Sequence, residues 1–140
     1  MKKAFSISLL CLLLLASQAA RADYDAGLKA FEKGDLATAL AEWTLAAEQN
    51  DARAQYRLGA MFDRGQGVDQ NSGEALKWYG LAAEQEYADA EYSLGLMSYF
   101  GQGVPQDYRE ATRWFRLAVR HGKEDARYLL GLSEKLCDYP

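Results

Sequence analysis

A 36-residue pattern occurs twice in succession in this chain, and it limits the fold more than any other feature of the sequence. Residues 54–89 and 90–125 are identical at 16 aligned positions. Self-similarity at a period of this length is typical of helical solenoids, in which each helix pair buries its apolar face against the next pair. The repeat therefore predicts an all-α protein, an α/α superhelical solenoid, which presents a binding surface.

Helix-capping residues recur at the spacing of the repeat. Asn71 with Glu74 forms a capping box, N-x-x-E, and Asp107 with Glu110 repeats it one period later. Glycine just past a helix end accommodates the left-handed backbone, so Gly65-Gln-Gly67 is expected to end a helix. The predicted helices cover residues 24–33, 36–49, 52–64, 72–86, 108–121 and about 124–136.

The first 22 residues have the layout of a secretory signal peptide. Lys2 and Lys3 precede an apolar stretch over residues 4–15, and Ala20-Arg-Ala22 is an A-x-A cleavage site. The alternative, an uncleaved membrane anchor, requires roughly 20 apolar residues, and this stretch is shorter. The pattern therefore predicts cleavage after Ala22 and a periplasmic protein, with secretion as the alternative.

Cleavage would change the charge and the cysteine content. Residues 1–22 contain three of the 16 basic residues and none of the 20 acidic ones, so the mature chain has a net charge of −7. That balance argues against a nucleic-acid partner and against electrostatic adhesion to an anionic membrane. Only Cys137 would remain, so no disulfide within the chain is expected, although a bridge to another chain stays open.

The repeated residues resemble the Sel1-like repeat, a relative of the tetratricopeptide repeat. Phe62 fills the aromatic position of the first helix in one copy, whereas the other copy has Ser98 there. The resemblance is found in Leu58-Gly59, Gly65-Gln-Gly67-Val68, Ala75, Trp78-Tyr79 and Ala82-Ala83, and again in Leu94-Gly95, Gly101-Gln-Gly103-Val104, Ala111 and Trp114-Phe115.

The resemblance implies a division of the chain into helix pairs. A signal peptide over 1–22 would precede a repeat domain over 23–140. Residues 126–131 match the start of a further copy, which stops after its first helix and is expected to act as a C-terminal cap. The expected units are a tetratricopeptide-like pair at 24–50, Sel1-like repeats at 52–87 and 88–123, and a capping half-repeat at 124–137.

Nothing in the sequence favours an active site. His121 is the single histidine, and at the C-terminal end of a predicted helix it is expected to cap the exposed carbonyls. One histidine and one mature cysteine do not form a zinc-ligand set. We therefore expect no catalytic residue, no metal and no cofactor.

The first helix of each pair is expected to line the binding surface. Residues that differ between the copies are candidates for partner contact, whereas Trp78 and Trp114 are expected to anchor the core because large aromatic side chains bury the most area. Ordinary drift between the copies is an alternative reason for those differences. The candidate contact residues are Arg53, Arg57, Met61, Arg64, Met97, Tyr99 and Phe100.

The family resemblance implies a scaffold that mediates protein–protein interaction. The leading interpretation is an exported, non-catalytic adaptor that binds a protein or peptide partner in the bacterial envelope. Two alternatives remain at this point. One is a hydrolase acting on cell-wall or β-lactam substrates, as proposed for cysteine-rich relatives whose paired cysteines this chain lacks. The other is an obligate structural subunit of an envelope complex.

Overall fold

The computed structural model describes residues 23–138, which form seven α-helices and no β-strand. The predicted signal peptide lies outside these residues. All seven helices are short, between 9 and 13 residues. The helices are α1 Tyr24–Glu32, α2 Leu36–Glu48, α3 Ala52–Arg64, α4 Ser72–Glu84, α5 Ala88–Phe100, α6 Tyr108–Arg120 and α7 Ala126–Cys137.

Asn71 and Asp107 cap α4 and α6 as the sequence predicts, but without the reciprocal half of a capping box. Their backbone amides donate to the carbonyls of Phe62 and Ser98, respectively, and not to the glutamate side chains. The side chain of Asn71 accepts a hydrogen bond from the Glu74 amide at 3.1 Å, and Asp107 accepts one from the Glu110 amide at the same distance. Gly65 ends α3 in the left-handed conformation, with φ of 64°. Glycine adopts this region without the steric cost that a Cβ adds. The observed ends of α4 and α6 fall one or two residues before the predicted ones, and α7 begins two residues later than predicted.

Each helix packs against the helix that follows it in the chain, from α1 through α7. Three buried clusters lie along this stack: one centred on Trp43 and Leu58, one on Tyr79 and Leu94, and one on Phe115. Such a succession of nearest-neighbour contacts is the architecture of a solenoid. The prediction of an all-α helical solenoid is confirmed.

A glycine in the first helix of each pair contacts an aromatic ring in the second helix. A Cβ atom added to Gly27, Gly59 or Gly95 would lie 2.5–2.6 Å from the ring of Trp43, Tyr79 or Phe115, respectively. No real Cβ approaches a ring so closely, so only glycine allows these helices to pack at this distance. The three rings are 0%, 2% and 0% exposed.

These rings, and not Trp78 and Trp114, anchor the core. Both tryptophans are only half-buried and pack at the edges of the clusters. The expectation for them was wrong because the neighbouring aromatic, Tyr79 or Phe115, occupies the inward position. Successive residues on a helix point about 100° apart, so one of two adjacent aromatics must lie towards the side.

The last helix covers the apolar face of the second repeat. Ala126 is fully buried, and Leu129 and Leu130 pack against the cluster around Phe115. Ser133 is also buried, and its hydroxyl lies 2.9 Å from that of Thr112 on α6. Tyr128, on the outer side of α7, is 74% exposed. Helix α7 therefore closes the core on one side and presents polar and aromatic side chains on the other.

Candidate protein-interaction face

The structure separates the predicted contact residues into a buried group and a surface group. Met61 and Met97 are each 1% exposed and belong to the core clusters, so a partner cannot reach them. Their prediction as contact residues was wrong. Each lies three residues after a buried leucine, Leu58 or Leu94, and this spacing places it on the buried stripe of its helix.

The arginines of α3 lie at the surface on the side facing α1. Arg53 and Arg64 are exposed, and Arg57 is half-buried. Two of them, Arg57 and Arg64, line a small cavity of about 50 Å³ between these helices, which Phe31 also borders. The structure thus brings Arg57 and Arg64 together.

The corresponding end of α5 is aromatic. Phe100 is 58% exposed, and its ring meets that of Tyr99 edge to face at a centroid distance of 5.0 Å. Tyr99 is half-buried and also packs against Tyr108. The surface of the first helices therefore changes from basic on α3 to aromatic on α5.

Sequence reasoning missed a row of tyrosines on these same helices. A tyrosine stands three residues before a glycine in each first helix, a Tyr-x-x-Gly pattern that is visible in the sequence. The first three of these tyrosines are half-buried, and the fourth is the exposed residue on α7. We call this set the tyrosine row: Tyr24, Tyr56, Tyr92 and Tyr128.

The buried aromatics of the core hold the tyrosine row in place. The ring centroids of Tyr24 and Trp43 are 6.1 Å apart, and those of Tyr56 and Tyr79 are 5.8 Å apart. Tyr92 lies at 5.8 Å from Phe115 in the same way. The first three rings of the row thus pack on the aromatic that contacts the glycine and remain partly at the surface, whereas Tyr128 is exposed.

Basic side chains lie against two members of the tyrosine row, Tyr24 and Tyr92. The guanidinium carbon of Arg53 is 4.3 Å from the centroid of the Tyr24 ring, and Arg57 Nε donates a hydrogen bond to the Tyr24 hydroxyl at 3.1 Å. Lys123 Nζ lies 5.6 Å from the centroid of the Tyr92 ring and 2.8 Å from Asp89. Cations over aromatic faces are attracted by the ring quadrupole, which orders these long side chains.

The surroundings keep these groups in their ordinary charge states. Partial burial of Arg57 works against its charge, but the hydrogen bond to Tyr24 and the nearby tyrosines outweigh it and raise the pKa of Arg57. The hydrogen bond with Asp89 raises the pKa of Lys123. Burial, with the Asp89 charge, raises the pKa of Tyr87, whose ring packs on Tyr56. Arg57 and Lys123 are therefore cationic, and the Tyr87 phenol beside Tyr56 is neutral.

His121 forms a contact with Glu91 that the sequence did not reveal. It is the C-cap residue of α6, but the expectation that its side chain caps the helix carbonyls was wrong, because the ring turns to Glu91 instead. Ring Nδ1 lies 2.9 Å from both carboxylate oxygens of Glu91, a side chain that is 2% exposed. The same positions in the preceding repeat are Gln55 and Gln85, whose side chains are joined by a 2.8 Å hydrogen bond. The second repeat thus replaces an amide pair with a carboxylate and an imidazole.

The described part of the chain contains no group of three or more His, Cys, Asp or Glu side chains that could hold a metal ion. Cys137 there is a free, half-buried thiol 3.6 Å from the Thr112 hydroxyl. Between residues 23 and 138, no helix has both the length and the apolar character needed to cross a membrane.

Comparison with solved structures identifies proteins of similar fold. A Sel1 repeat protein from Oxalobacter formigenes is 40% identical with a TM-score of 0.66, over 69% of this chain and 40% of its own. A protective antigen present in uropathogenic Escherichia coli strains, displaying an SLR fold, is 32% identical with a TM-score of 0.73, over 78% and 24%. Cysteine rich protein B of Helicobacter pylori is 28% identical with a TM-score of 0.63, over 70% and 71%.

This chain spans less than half the length of the first two of these proteins. No curated protein matches it. The Sel1 repeat family, however, matches residues 52–87 and 88–123, which together make up just over half of the 140 residues. Since the family matches two consecutive helix pairs and the solved neighbours share the same solenoid, the chain belongs to the Sel1 repeat family.

Proposed function

We propose that this protein is an exported, non-catalytic adaptor that binds a protein or peptide partner in the bacterial envelope. Sel1 repeats generally mediate protein–protein interaction. The observation that favours this role here is the continuous face formed by the tyrosine row with Arg53, Arg57 and Lys123. Tyrosine and arginine side chains dominate the binding energy of many protein interfaces.

The face also suggests the chemistry of the partner. Helix α3 presents Arg53 and Arg64 at the surface, whereas α5 presents Phe100. A partner that complements both would place acidic groups opposite α3 and apolar groups opposite α5. Opposite charges across an interface accelerate association and fix the register of the two chains.

Removing exposed side chains from this face is expected to abolish partner binding. The variant Arg53→Ala/Arg64→Ala/Phe100→Ala should retain at most about a tenth of the partner that the wild type captures from an envelope extract, since each such hot-spot side chain contributes about 1–2 kcal/mol. Captured proteins are compared by quantitative mass spectrometry. The melting temperature should change little, because surface substitutions usually cost about 0.5 kcal/mol or less.

The second helices offer a matched control. The variant Arg116→Ala/Arg120→Ala/Leu45→Ala removes two exposed arginines and one exposed apolar side chain from α6 and α2. This variant should capture the same partner as the wild type. Equal loss in both variants, or full binding by the first, would show that the first helices do not form the contact face.

Export is tested separately at the N-terminus. If the A-x-A site ending at Ala22 is cleaved, the mature protein recovered from the periplasm should begin at Asp23. N-terminal sequencing of the fractionated protein is the measurement, and Ala22→Leu should block processing because the peptidase requires a small residue there. Periplasmic protein that still begins at Met1 would contradict the prediction.

A further inference from the structure

The second repeat contains an apolar cavity at the loop that joins α5 to α6. The cavity has a volume of about 400 Å³. Five apolar side chains line it: Leu76 from α4, Leu94 from α5, Val104 and Pro105 from the loop, and Trp114 from α6. Ser98, which is 6% exposed, lies among them. We call this cavity the Ser98 pocket.

The first repeat shows which side chain such a space accepts. Four of the five apolar residues have counterparts of the same type 36 positions earlier, whereas Pro105 corresponds to Asp69. The inward position differs as well, since Phe62 stands where the second repeat has Ser98. Phe62 packs against the core cluster around Leu58, and so do Val68 and Trp78. The four counterparts are Leu40, Leu58, Val68 and Trp78.

The serine at the equivalent position therefore has a hydroxyl in place of the phenyl ring of Phe62, while the two leucines, the valine and the tryptophan of the site are repeated. A cavity of about 150 Å³ lined by aliphatic and aromatic side chains is sufficient to bind benzene. The Ser98 pocket is larger than that, so it has room for a phenylalanine ring that enters from outside. The wall residues are positioned by the same helices as in the first repeat.

The rim of the pocket is polar and acidic. Gln106 Nε2 donates a hydrogen bond to the Tyr99 carbonyl at 2.9 Å, which holds the loop beside the opening. Asp107 and Glu110 also line the pocket, and both are carboxylates. Arg113 pairs with Glu110 at 2.8 Å but is itself 68% exposed. The charge at the rim favours an occupant with a basic residue beside its apolar group.

We propose that the Ser98 pocket binds a phenylalanine side chain of a partner peptide in which lysine or arginine flanks the phenylalanine. The ring would occupy the place that Phe62 fills in the first repeat, and the cation would face Asp107 and Glu110. This inference rests on the proposed function as a protein-binding scaffold, but it uses a site separate from the tyrosine row.

Two capped tripeptides test the proposal: Lys-Phe-Lys and, as the control, Lys-Ala-Lys. Titration of each into the purified protein is followed by NMR, through the indole signal of Trp114 and the amide signals of Ser98 and Gln106. Lys-Phe-Lys should shift these signals and bind about tenfold to a hundredfold more tightly than Lys-Ala-Lys, since burial of a benzyl group corresponds to that ratio.

Variants at Ser98 decide whether the pocket is the site. Ser98→Phe reproduces the first repeat and should weaken Lys-Phe-Lys binding at least about tenfold, with an unchanged or higher melting temperature. Ser98→Ala leaves the cavity in place and should bind as the wild type does. If Ser98→Phe fails to fold, Ser98→Leu provides the same test with a smaller side chain.

The first repeat offers a converse test. Phe62→Ser should open an equivalent cavity beside Trp78, so that Lys-Phe-Lys also shifts the Trp78 indole signal. The proposal is overturned if the two tripeptides bind equally, if Ser98→Phe binds like the wild type, or if the shifts occur only along the tyrosine row. The last result would leave the adaptor function intact, whereas loss of partner capture by the Arg53/Arg64/Phe100 variant without change in its tripeptide binding concerns the surface of the first helices alone.

Discussion

The Phe115→Ala substitution is expected to lower the free energy of unfolding by about 3–5 kcal/mol, the range for truncation of buried aromatic side chains. Phe115 is fully buried, and its ring lies directly on the backbone of Gly95, where an added Cβ would be 2.5 Å away. The ring thus fills the contact between α5 and α6. Removal would leave a cavity that neither helix can close without shifting.

The adjacent residue provides the control for this prediction. Trp114 is larger but only half-buried, so Trp114→Ala should cost about 1–2 kcal/mol, within the usual range for single substitutions. Urea unfolding followed by far-ultraviolet circular dichroism measures both. A greater loss for Trp114→Ala than for Phe115→Ala would show that the tryptophan, and not the phenylalanine, anchors the second repeat.

The His121→Ala substitution is expected to cost about 3 kcal/mol, because it leaves the Glu91 carboxylate buried without its imidazole partner. The Glu91 side chain is 2% exposed and His121 is 19% exposed. Because the imidazole is still partly exposed, the expected loss of unfolding free energy lies at the low end of the range for breaking a buried pair. Equilibrium unfolding in urea is again the measurement.

A double variant that copies the preceding repeat should restore the stability lost in His121→Ala. The double variant Glu91→Gln/His121→Gln would recreate the Gln55–Gln85 pair, which has a 2.8 Å hydrogen bond, and Gln55 also donates to the Ala47 carbonyl. This variant should be within about 1 kcal/mol of the wild type, since a neutral buried pair avoids the desolvation of charge. A double variant as unstable as His121→Ala would mean that the Glu91–His121 pair is not interchangeable with the amide pair.

The sequence predicted the helices well because the interactions that end a helix are local. Asn71 caps α4 through the amide three residues ahead, and Gly65 ends α3 through its own backbone conformation. Such contacts lie within one turn and can be recognised without the rest of the fold. The 36-residue period then predicted the stacking of the pairs, since identical helix faces must bury identical neighbours.

The candidate contact residues are only partly at the surface. Arg53, Arg64 and Phe100 are exposed, but Met61 and Met97 are buried. The two methionines are identical in the two repeats and were selected for their place on the first helices, which does not distinguish an inward from an outward position. The Tyr-x-x-Gly pattern is present in every first helix, yet only the structure shows the core ring against which Tyr24, Tyr56 and Tyr92 pack.

The sequence by itself determined the fold class, the repeat register and the helix ends, all of which depend on period and on contacts within a few residues. Only the tertiary structure decided which of two adjacent aromatics faces the core, as between Trp114 and Phe115. It alone joined Glu91 to His121, 30 residues apart in the chain. Both depend on the rotation of one helix against another, and that rotation is determined when all the side chains of the interface pack together.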